Sequence, residues 1–207
     1  MIDPSSATPY ERIARELAES GWSVCADFLP PAQVAALADE LRARWAEGEF
    51  HAAGVGSGPR HRLHPDIRGD RVFWLDESAR TPAQQPYFAA LEALRLAINR
   101  ELFLGLFDFE GHMALYPPGS FYRRHLDQFA GVAYRKVSVI LYLNEDWRAE
   151  DGGQLRIYMD DSENAAYIDV VPRGGTLVCF LSGRFPHEVL TAGRERCSVT
   201  GWFRIRI

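Results

Sequence analysis

The second half of the chain consists of short runs of β-branched and aromatic residues, separated by glycine, proline, asparagine and aspartate. After Leu106 these runs are HMALYPPG, RKVSVILYLNEDW, GGQLRIYM, AYIDVVP, GGTLVCFL, HEVLTAG and CSVTGWFRIRI. Runs of this length and composition are typical of β-strands, and the residues between them are typical of turns. Several strands at short, regular spacing predict a β-sandwich or a jelly roll for this half.

The first half contains three helical patterns. One begins near Tyr10 and stops at Gly21, and the second, PPAQVAALADELRARWAEGEF, has prolines at its start and apolar residues at helical spacing. The third and clearest is TPAQQPYFAALEALRLAINRELF. Its apolar face is made by Phe88, Leu91, Leu94, Ile98 and Leu102. We therefore predict an α+β protein whose N-terminal helices pack on one sheet of a jelly roll.

The length of 207 residues predicts a single domain. We expect a flexible terminus at residues 1–9, helical support and a substrate loop at residues 10–106, and the jelly-roll core at residues 107–207. Within the support region, RVFWLDES predicts one strand. The glycine-rich segment at residues 52–64 fits neither a helix nor a strand and predicts a long mobile loop. Its G-x-G lacks the strand-turn-helix frame of a phosphate loop.

Charge and cysteine content exclude several classes of function. There are 23 basic and 28 acidic residues, a net charge of -5, which argues against nucleic acid as the main partner. The three cysteines have no C-x-x-C spacing and predict neither a disulfide framework nor a thiolate zinc site. The sequence shows no cationic, apolar leader and no apolar run of about 20 residues, so we expect a cytoplasmic protein without a membrane span.

A histidine and a carboxylate two residues apart stand in the segment YRRHLDQF. Side chains at positions i and i+2 of a strand point to the same face, so His125 and Asp127 can reach one point. Alone, this pair is more typical of a solvated strand edge than of a metal site. His187, at the start of a later strand, can supply a third ligand, and two histidines with one carboxylate form the facial triad of non-haem Fe(II) centres. Zinc hydrolases use the same ligand types, so the triad alone leaves the chemistry open.

Two further residues suggest what binds beside the metal. Arg196 follows nine residues after His187 and carries the planar cationic fork that a dicarboxylate needs at its far end. Tyr142 can add a phenol hydrogen bond to the same carboxylate if its ring points inward. Four other histidines, by contrast, are expected to be loop residues or satisfied polar residues rather than ligands. They are His51, His61, His64 and His112.

These spacings resemble those of the Fe(II)/2-oxoglutarate dioxygenases, which fold as a double-stranded β-helix. More specifically, DIRGDRVFW, YRRHLD, RKVSVILYLNEDW, GGQLRIY and PHEVLTAGRERCSVTGWF look like the HIF prolyl hydroxylases and their bacterial relatives. The resemblance covers roughly residues 30 to 207. It departs in the glycine-rich segment and by a small length change between Asp127 and Arg135, where substrate contacts of the family tend to lie.

The resemblance implies a role for each matching residue. The iron ligands would be His125, Asp127 and His187. The residues at 2-oxoglutarate would be Arg196, Tyr142, Tyr116, Tyr122 and Thr200. The residues near the substrate would be Arg135, Trp202, Arg68 and Asp70. Arg68 and Asp70 could equally form a surface salt bridge, and the aromatic residues could equally belong to the core.

The resemblance also implies an activity. A prolyl residue of a cytosolic protein, for example a translation factor, would be hydroxylated at C4 with Fe(II), 2-oxoglutarate and O2, releasing succinate and CO2. Ascorbate is a further cofactor that the family suggests. One alternative is the same chemistry on free proline, another small molecule or an alkylated base. A second alternative, from a different class, is a metal-binding jelly roll without catalysis.

Overall fold

The computed structural model of the protein describes residues 7–54, 64–128 and 133–206. Within these residues the long helices are α1 (Pro9–Ser20), α2 (Pro31–Ala46) and α3 (Gln85–Leu102). All three lie where the sequence predicts helices. Two short 3-10 helices are present at Glu77–Ala79 and Ala149–Asp151.

Local side-chain chemistry explains the bounds of α1. Thr8 precedes the helix, and its hydroxyl accepts a hydrogen bond from the Glu11 backbone N–H, while the Glu11 carboxylate accepts one from the Thr8 backbone N–H. This capping box satisfies donors that a helix start leaves unpaired. The helix ends at Gly21, whose φ of 84° is a left-handed conformation that glycine adopts without strain.

The strands, in chain order, form a long series of short segments. They are β1 (Trp22–Cys25), β2 (His51–Ala52), β3 (Arg71–Trp74), β4 (Asp108–Tyr116), β5 (Tyr122–His125), β6 (Arg135–Tyr142), β7 (Leu155–Tyr158), β8 (Tyr167–Val170), β9 (Leu177–Leu181), β10 (His187–Val189) and β11 (Arg196–Arg204). They build a seven-stranded sheet in the order β1-β9-β6-β11-β4-β3-β2 and a four-stranded sheet in the order β5-β10-β7-β8. We call these the major and the minor sheet. All neighbouring strands in the two sheets pair antiparallel, and β11 is the central strand of the major sheet.

The sequence predicted strand β3 but neither β1 nor β2. All three come from the helical half of the chain and extend the major sheet at its edges. Strand β1 pairs with β9, with Ser23 opposite Cys179. A four-residue strand between two helices is too short to give a clear period, so its partner strand decides its conformation.

Some predictions fall outside the described residues. Residues 1–6 of the predicted flexible terminus lie there, as do residues 55–63 of the predicted loop, which include His61, and residues 129–132 of the segment where the length differs from the family. In the described parts of the chain, the helices are too short or too polar to cross a membrane.

The major sheet separates two apolar cores because its side chains alternate between its faces. Along β6, Val139 and Leu141 face the helices and pack in one core with residues such as Leu94 of α3. Ile140 and Tyr142 face the minor sheet and pack in the second core. The prediction that the N-terminal helices cover one sheet is thus confirmed, and the inner face of the same sheet is left for the site.

A glycine pair permits tight packing at the centre of the major sheet. Gly201 on β11 lies opposite Gly111 on β4, and the Phe109 ring lies over both. A Cβ atom at either position would come within 2.5 Å of that ring. Any larger residue there would displace Phe109 from the helix-side core.

Core packing of α3 gives a matched stability test. Leu94 is fully buried, whereas Leu96, two residues along the same helix, is 48% exposed. We predict that Leu94→Ala lowers the free energy of unfolding by about 2–5 kcal/mol, because it leaves a cavity, whereas Leu96→Ala changes it by no more than about 0.5 kcal/mol. Urea denaturation followed by circular dichroism measures both. Equal losses in the two variants would contradict the orientation of α3.

Candidate metal centre and active-site cavity

His125, Asp127 and His187 converge on one point at the minor sheet. His125 on β5 lies directly opposite His187 on β10. Nε2 of His125 is 3.6 Å from one Asp127 carboxylate oxygen, and Nε2 of His187 is 3.6 Å from the other. One ligand atom from each residue lies within 4.8 Å of the other two, and this is the only such group in the described part of the chain. The arrangement matches a two-histidine, one-carboxylate triad with open positions.

Both histidine rings are oriented by backbone carbonyls. Nδ1 of His125 hydrogen bonds to the carbonyl of Arg123 at 2.7 Å, and Nδ1 of His187 hydrogen bonds to that of Phe185 at 3.1 Å. A carbonyl only accepts, so in the neutral rings Nδ1 carries the proton and Nε2 keeps its lone pair for a metal. Burial lowers the pKa of His187 to about 4, so this ring is neutral at physiological pH.

Asp127 reaches the site differently from the sequence prediction. Strand β5 ends at His125, and Asp127 lies two residues further on, in a bend rather than in the strand. A hydrogen bond stabilises the bend: the Gln128 backbone N–H donates to the Ser182 carbonyl at 3.2 Å. The prediction that the two-residue period of a strand places this carboxylate is therefore wrong. The predicted proximity of Asp127 to His125 is nevertheless present.

A hydroxyl pair fixes the Asp127 carboxylate. Ser138 on β6 donates to Asp127 at 2.6 Å and is 2.9 Å from the hydroxyl of Ser182. Burial alone would raise the pKa of Asp127, but the two facing histidines and the Ser138 hydrogen bond hold it well below its usual range. Asp127 is therefore an ionised carboxylate that links the triad to the inner face of the major sheet.

A cavity of about 410 Å³ opens beside the triad, between the two sheets. Its floor is made by side chains spaced two apart on the inner face of the major sheet. They are His112, Ala114 and Tyr116 on β4, Ile140 on β6, and Arg196, Thr200 and Trp202 on β11. The triad, Tyr122, Leu155 and Val189 complete much of the wall, and Arg68 and Arg135 add two further cations.

The charge and the hydrogen-bond donors at the deep end of the cavity favour a bound anion. The Arg196 guanidinium is buried, lies 5.0 Å from the ring centroids of both Tyr116 and Tyr142, and donates to the backbone carbonyl of Gly153 at 2.8 Å. Among the described residues no carboxylate pairs with it. Within the described part of the chain the Tyr142 hydroxyl is buried without a hydrogen-bond partner, and burial raises its pKa to about 12, which keeps it a donor. A buried cation and an unused donor at one place call for a bound carboxylate.

Comparison with known proteins identifies this arrangement. A profile described as the 2OG-Fe(II) oxygenase superfamily matches residues 111–204. A solved prolyl-4-hydroxylase from Pseudomonas putida is 52% identical, with a TM-score of 0.85 over 96% of this chain and 100% of that one. The chain belongs to the 2OG-Fe(II) oxygenase superfamily. This confirms the predicted family, the jelly-roll fold and the enzyme class.

A second solved structure that this chain resembles is also a prolyl hydroxylase. A prolyl hydroxylase from Trichoplax adhaerens, solved with a hypoxia inducible factor oxygen degradation domain peptide, is 26% identical with a TM-score of 0.83, over 98% of this chain and 96% of that one. Human Egl nine homolog 1 is 31% identical over 97% of this chain. The chain spans 47% of that protein, 60% of Egl nine homolog 1 from Rattus norvegicus and 28% of the Hypoxia-inducible factor prolyl hydroxylase of Caenorhabditis elegans.

The residues present fit Fe(II) and 2-oxoglutarate, the groups that the superfamily uses. Ten of the twelve residues predicted from the sequence line the cavity. Tyr142 lies behind the lining against Arg196, and Asp70 lies behind it against Arg68, buried to 2% exposure. The predicted pair Arg68–Asp70 is thus an ion pair, but a largely buried one. The roles of all twelve residues stay predictions.

Sequence reasoning missed three residues at the site. Ser138 lies four residues before Tyr142 on β6, and His112 lies four residues before Tyr116 on β4, so strand period relates each to a predicted residue. His112 lines the cavity between Trp74 and Trp202, with ring centroids at 4.9 and 5.7 Å. The third, Glu110, holds Arg135 at 2.9 Å. The alternation of side chains along β4 and β6 is the sequence signal that could have identified these residues.

Ser138 provides a test of the metal site that does not remove a ligand. We predict that Ser138→Ala weakens Fe(II) binding by about 10- to 100-fold, since Asp127 loses the hydrogen bond that orients it. Binding is measured by anaerobic calorimetric titration, with Mn(II) as a redox-stable substitute. Ser198→Ala, which alters a serine outside the triad, is the control. Unchanged binding in Ser138→Ala would contradict the role of this hydroxyl.

His112 gives the metal-free protein a pH-dependent stability. Burial lowers its pKa to about 3 in the folded state, whereas the unfolded value is about 6.5. Between these values the unfolded chain binds a proton that the folded protein does not, so stability falls as the pH decreases below about 6.5. The contribution approaches about 1.4 kcal/mol per pH unit.

We predict that His112→Asn reduces this slope in urea denaturation measured from pH 7 to 4.5. The same substitution at half-exposed His64 is the matched control. A slope lost equally in both variants would show that burial of His112 is not its cause.

Proposed function

We propose that the chain is an Fe(II)- and 2-oxoglutarate-dependent dioxygenase that hydroxylates C4 of a prolyl residue in a protein. The observation that carries the proposal is the juxtaposition, in one cavity, of the triad with a buried arginine that lacks a carboxylate partner among the described residues. The triad explains a metal, and Arg196 explains a dicarboxylate beside it. The similarity to prolyl hydroxylases supports a prolyl target.

Each part of the cavity has a task in this proposal. His125, Asp127 and His187 would hold the metal through two Nε2 atoms and a carboxylate. Arg196 and Tyr142 would bind the far carboxylate of 2-oxoglutarate, with burial strengthening both contacts. When bound, the metal and 2-oxoglutarate supply an oxidative decarboxylation, with release of succinate and CO2, that is coupled to hydroxylation of a C–H bond by O2.

The apolar walls and the residues at the mouth serve the substrate. Ile140, Leu155 and Val189 line the cavity and limit the water that reaches the metal. Arg135 and Trp202 stand together at the mouth, with the guanidinium 3.5 Å from the indole centroid. They would hold the prolyl residue, while Arg68, over the Tyr122 ring at 4.1 Å, lines another part of the wall. Thr200 and Tyr116 complete the proposed cosubstrate pocket.

We propose a cytosolic target, with a translation factor as the first candidate to be tested. All three cysteines are free and buried, which fits a reducing compartment. The main alternative is the same chemistry on free proline or another small molecule, and its distinguishing property would be turnover without a peptide. Ascorbate belongs in the same assay as an added reductant.

The experiment is succinate formation with Fe(II), 2-oxoglutarate and O2, with mass spectrometry for the gain of one oxygen on proline. The substrates are the hypoxia inducible factor peptide named above, capped prolyl peptides, a translation-factor digest and free proline. We expect turnover with peptides and its loss in His125→Ala. Turnover with free proline alone would favour the small-molecule alternative, and no consumption of 2-oxoglutarate would favour the non-catalytic one.

A matched pair of arginine variants tests the cosubstrate site. We expect Arg196→Met to raise the KM for 2-oxoglutarate by about 10- to 100-fold, the effect of losing charge-assisted hydrogen bonds. Arg194→Met removes a half-exposed arginine two residues away and should leave this KM unchanged. Similar KM values for all three proteins would contradict the assignment.

A further inference from the structure

The three arginines that line the cavity differ in their partners. Arg68 is bound by both oxygens of Asp70, at 2.7 and 2.5 Å. Arg135 is bound by Glu110. Arg196 is the one of the three that has no carboxylate partner among the described residues, and it donates instead to a backbone carbonyl. The deep end of the cavity therefore carries an uncompensated positive charge, whereas both cations nearer its mouth are neutralised.

The neutralising group at Arg135 belongs to a network built by strand register. Glu110 accepts from Nε and Nη2 of Arg135 with one oxygen, at 3.2 and 2.9 Å, and from Arg204 with the other, at 3.0 Å. Arg204 in turn binds Asp108 at 3.0 and 2.6 Å. Arg204 lies on β11 between Asp108 on β4 and Arg135 on β6. Because neighbouring strands fix these positions, Glu110 cannot leave Arg135 without breaking a second ion pair.

This network also fixes the direction of Arg135. Its guanidinium is stacked 3.5 Å over the Trp202 ring, and both residues line the cavity. Nε and Nη2 are used by Glu110, and Nη1 has no hydrogen-bond partner among the described residues. The free N–H groups of Nη1 can donate to an acceptor on a bound substrate.

The charge of Glu110 decides which acceptor suits this site. A neutral carbonyl accepts from Nη1 without any charge penalty. A carboxylate in the same place would meet an arginine whose charge is already balanced, with the Glu110 carboxylate close behind it, so like-charge repulsion would offset its attraction to Arg135.

We propose that Glu110 is a specificity-determining residue that holds Arg135 over Trp202 and makes the cavity mouth select a peptide carbonyl over a free carboxylate. The inference rests on the proposed function and adds to it the residue that disfavours a carboxylate beside the reacting proline. Free proline and a C-terminal proline are disfavoured, because each carries a carboxylate at that position.

Two probes that differ only in this group test the proposal. One is a capped tetra-alanyl-proline peptide with a C-terminal N-methylamide, and the other is the same peptide with a free carboxylate. Binding to the Mn(II) protein with 2-oxoglutarate is measured by anaerobic calorimetry for the wild type, Glu110→Gln and Asp169→Asn. Asp169 is the matched control, since it forms a strand ion pair with Arg156 at 2.8 Å and neither residue lines the cavity.

We expect the wild type to prefer the amide probe and Glu110→Gln to reduce that preference by about five- to tenfold, the effect of one nearby like charge at a partly buried site. Asp169→Asn should keep the wild-type preference, and the KM for 2-oxoglutarate should stay within about twofold in all three proteins, since Glu110 is not among the groups at Arg196. An equal preference for the amide probe in the wild type and in Glu110→Gln overturns the proposal. A loss of preference in Asp169→Asn as large as that in Glu110→Gln also overturns it. Thermal midpoints of the variants separate these effects from unfolding.

This outcome is independent of the proposed chemistry. Absence of succinate formation with every prolyl peptide would contradict the proposed function, whereas the ratio of the two dissociation constants, measured without O2, still decides the role of Glu110.

Discussion

The position of β11 at the centre of the major sheet is the constraint on which the site depends. Its side chains alternate, so Val199 and Phe203 enter the helix-side core while Arg196, Thr200 and Trp202 face the cavity. Because β4 and β6 pair with it on either side, their inward residues come into register with these three. One strand thus secures the helices and supplies both the deep and the outer part of the cavity.

The minor sheet contributes the two histidines of the triad, and the two sheets meet at Asp127. His125 and His187 are cross-strand partners, which brings the two rings together before any metal is bound. The carboxylate is fixed from the opposite side by Ser138, on the inner face of the major sheet. Preorganisation of this kind keeps the ligand atoms close together and limits the reorganisation that metal binding requires.

The charge balance of the arginines in the cavity changes from its deep end to its mouth. Arg196 is buried beneath two tyrosines and lacks a carboxylate partner in the described chain, which favours an anion. Arg135 and Arg68 carry their own counterions, Glu110 and Asp70, which favours neutral groups. This difference supports the proposal of a dicarboxylate at the deep site and a peptide at the outer site. It depends on which arginines have carboxylate partners rather than on the number of arginines.

The sequence by itself determined the fold class, the three long helices, the triad and Arg196, since these depend on local period, on turn residues and on the fixed spacing of strongly functional side chains. Only the tertiary structure decided that β1 is a strand, that Asp127 acts from a bend, and that Ser138 and Glu110 belong to the site. The physical reason is that these features arise between elements distant in sequence. A four-residue strand depends on its partner, and a carboxylate is neutralised by an arginine 25 residues away only because two strand registers align them.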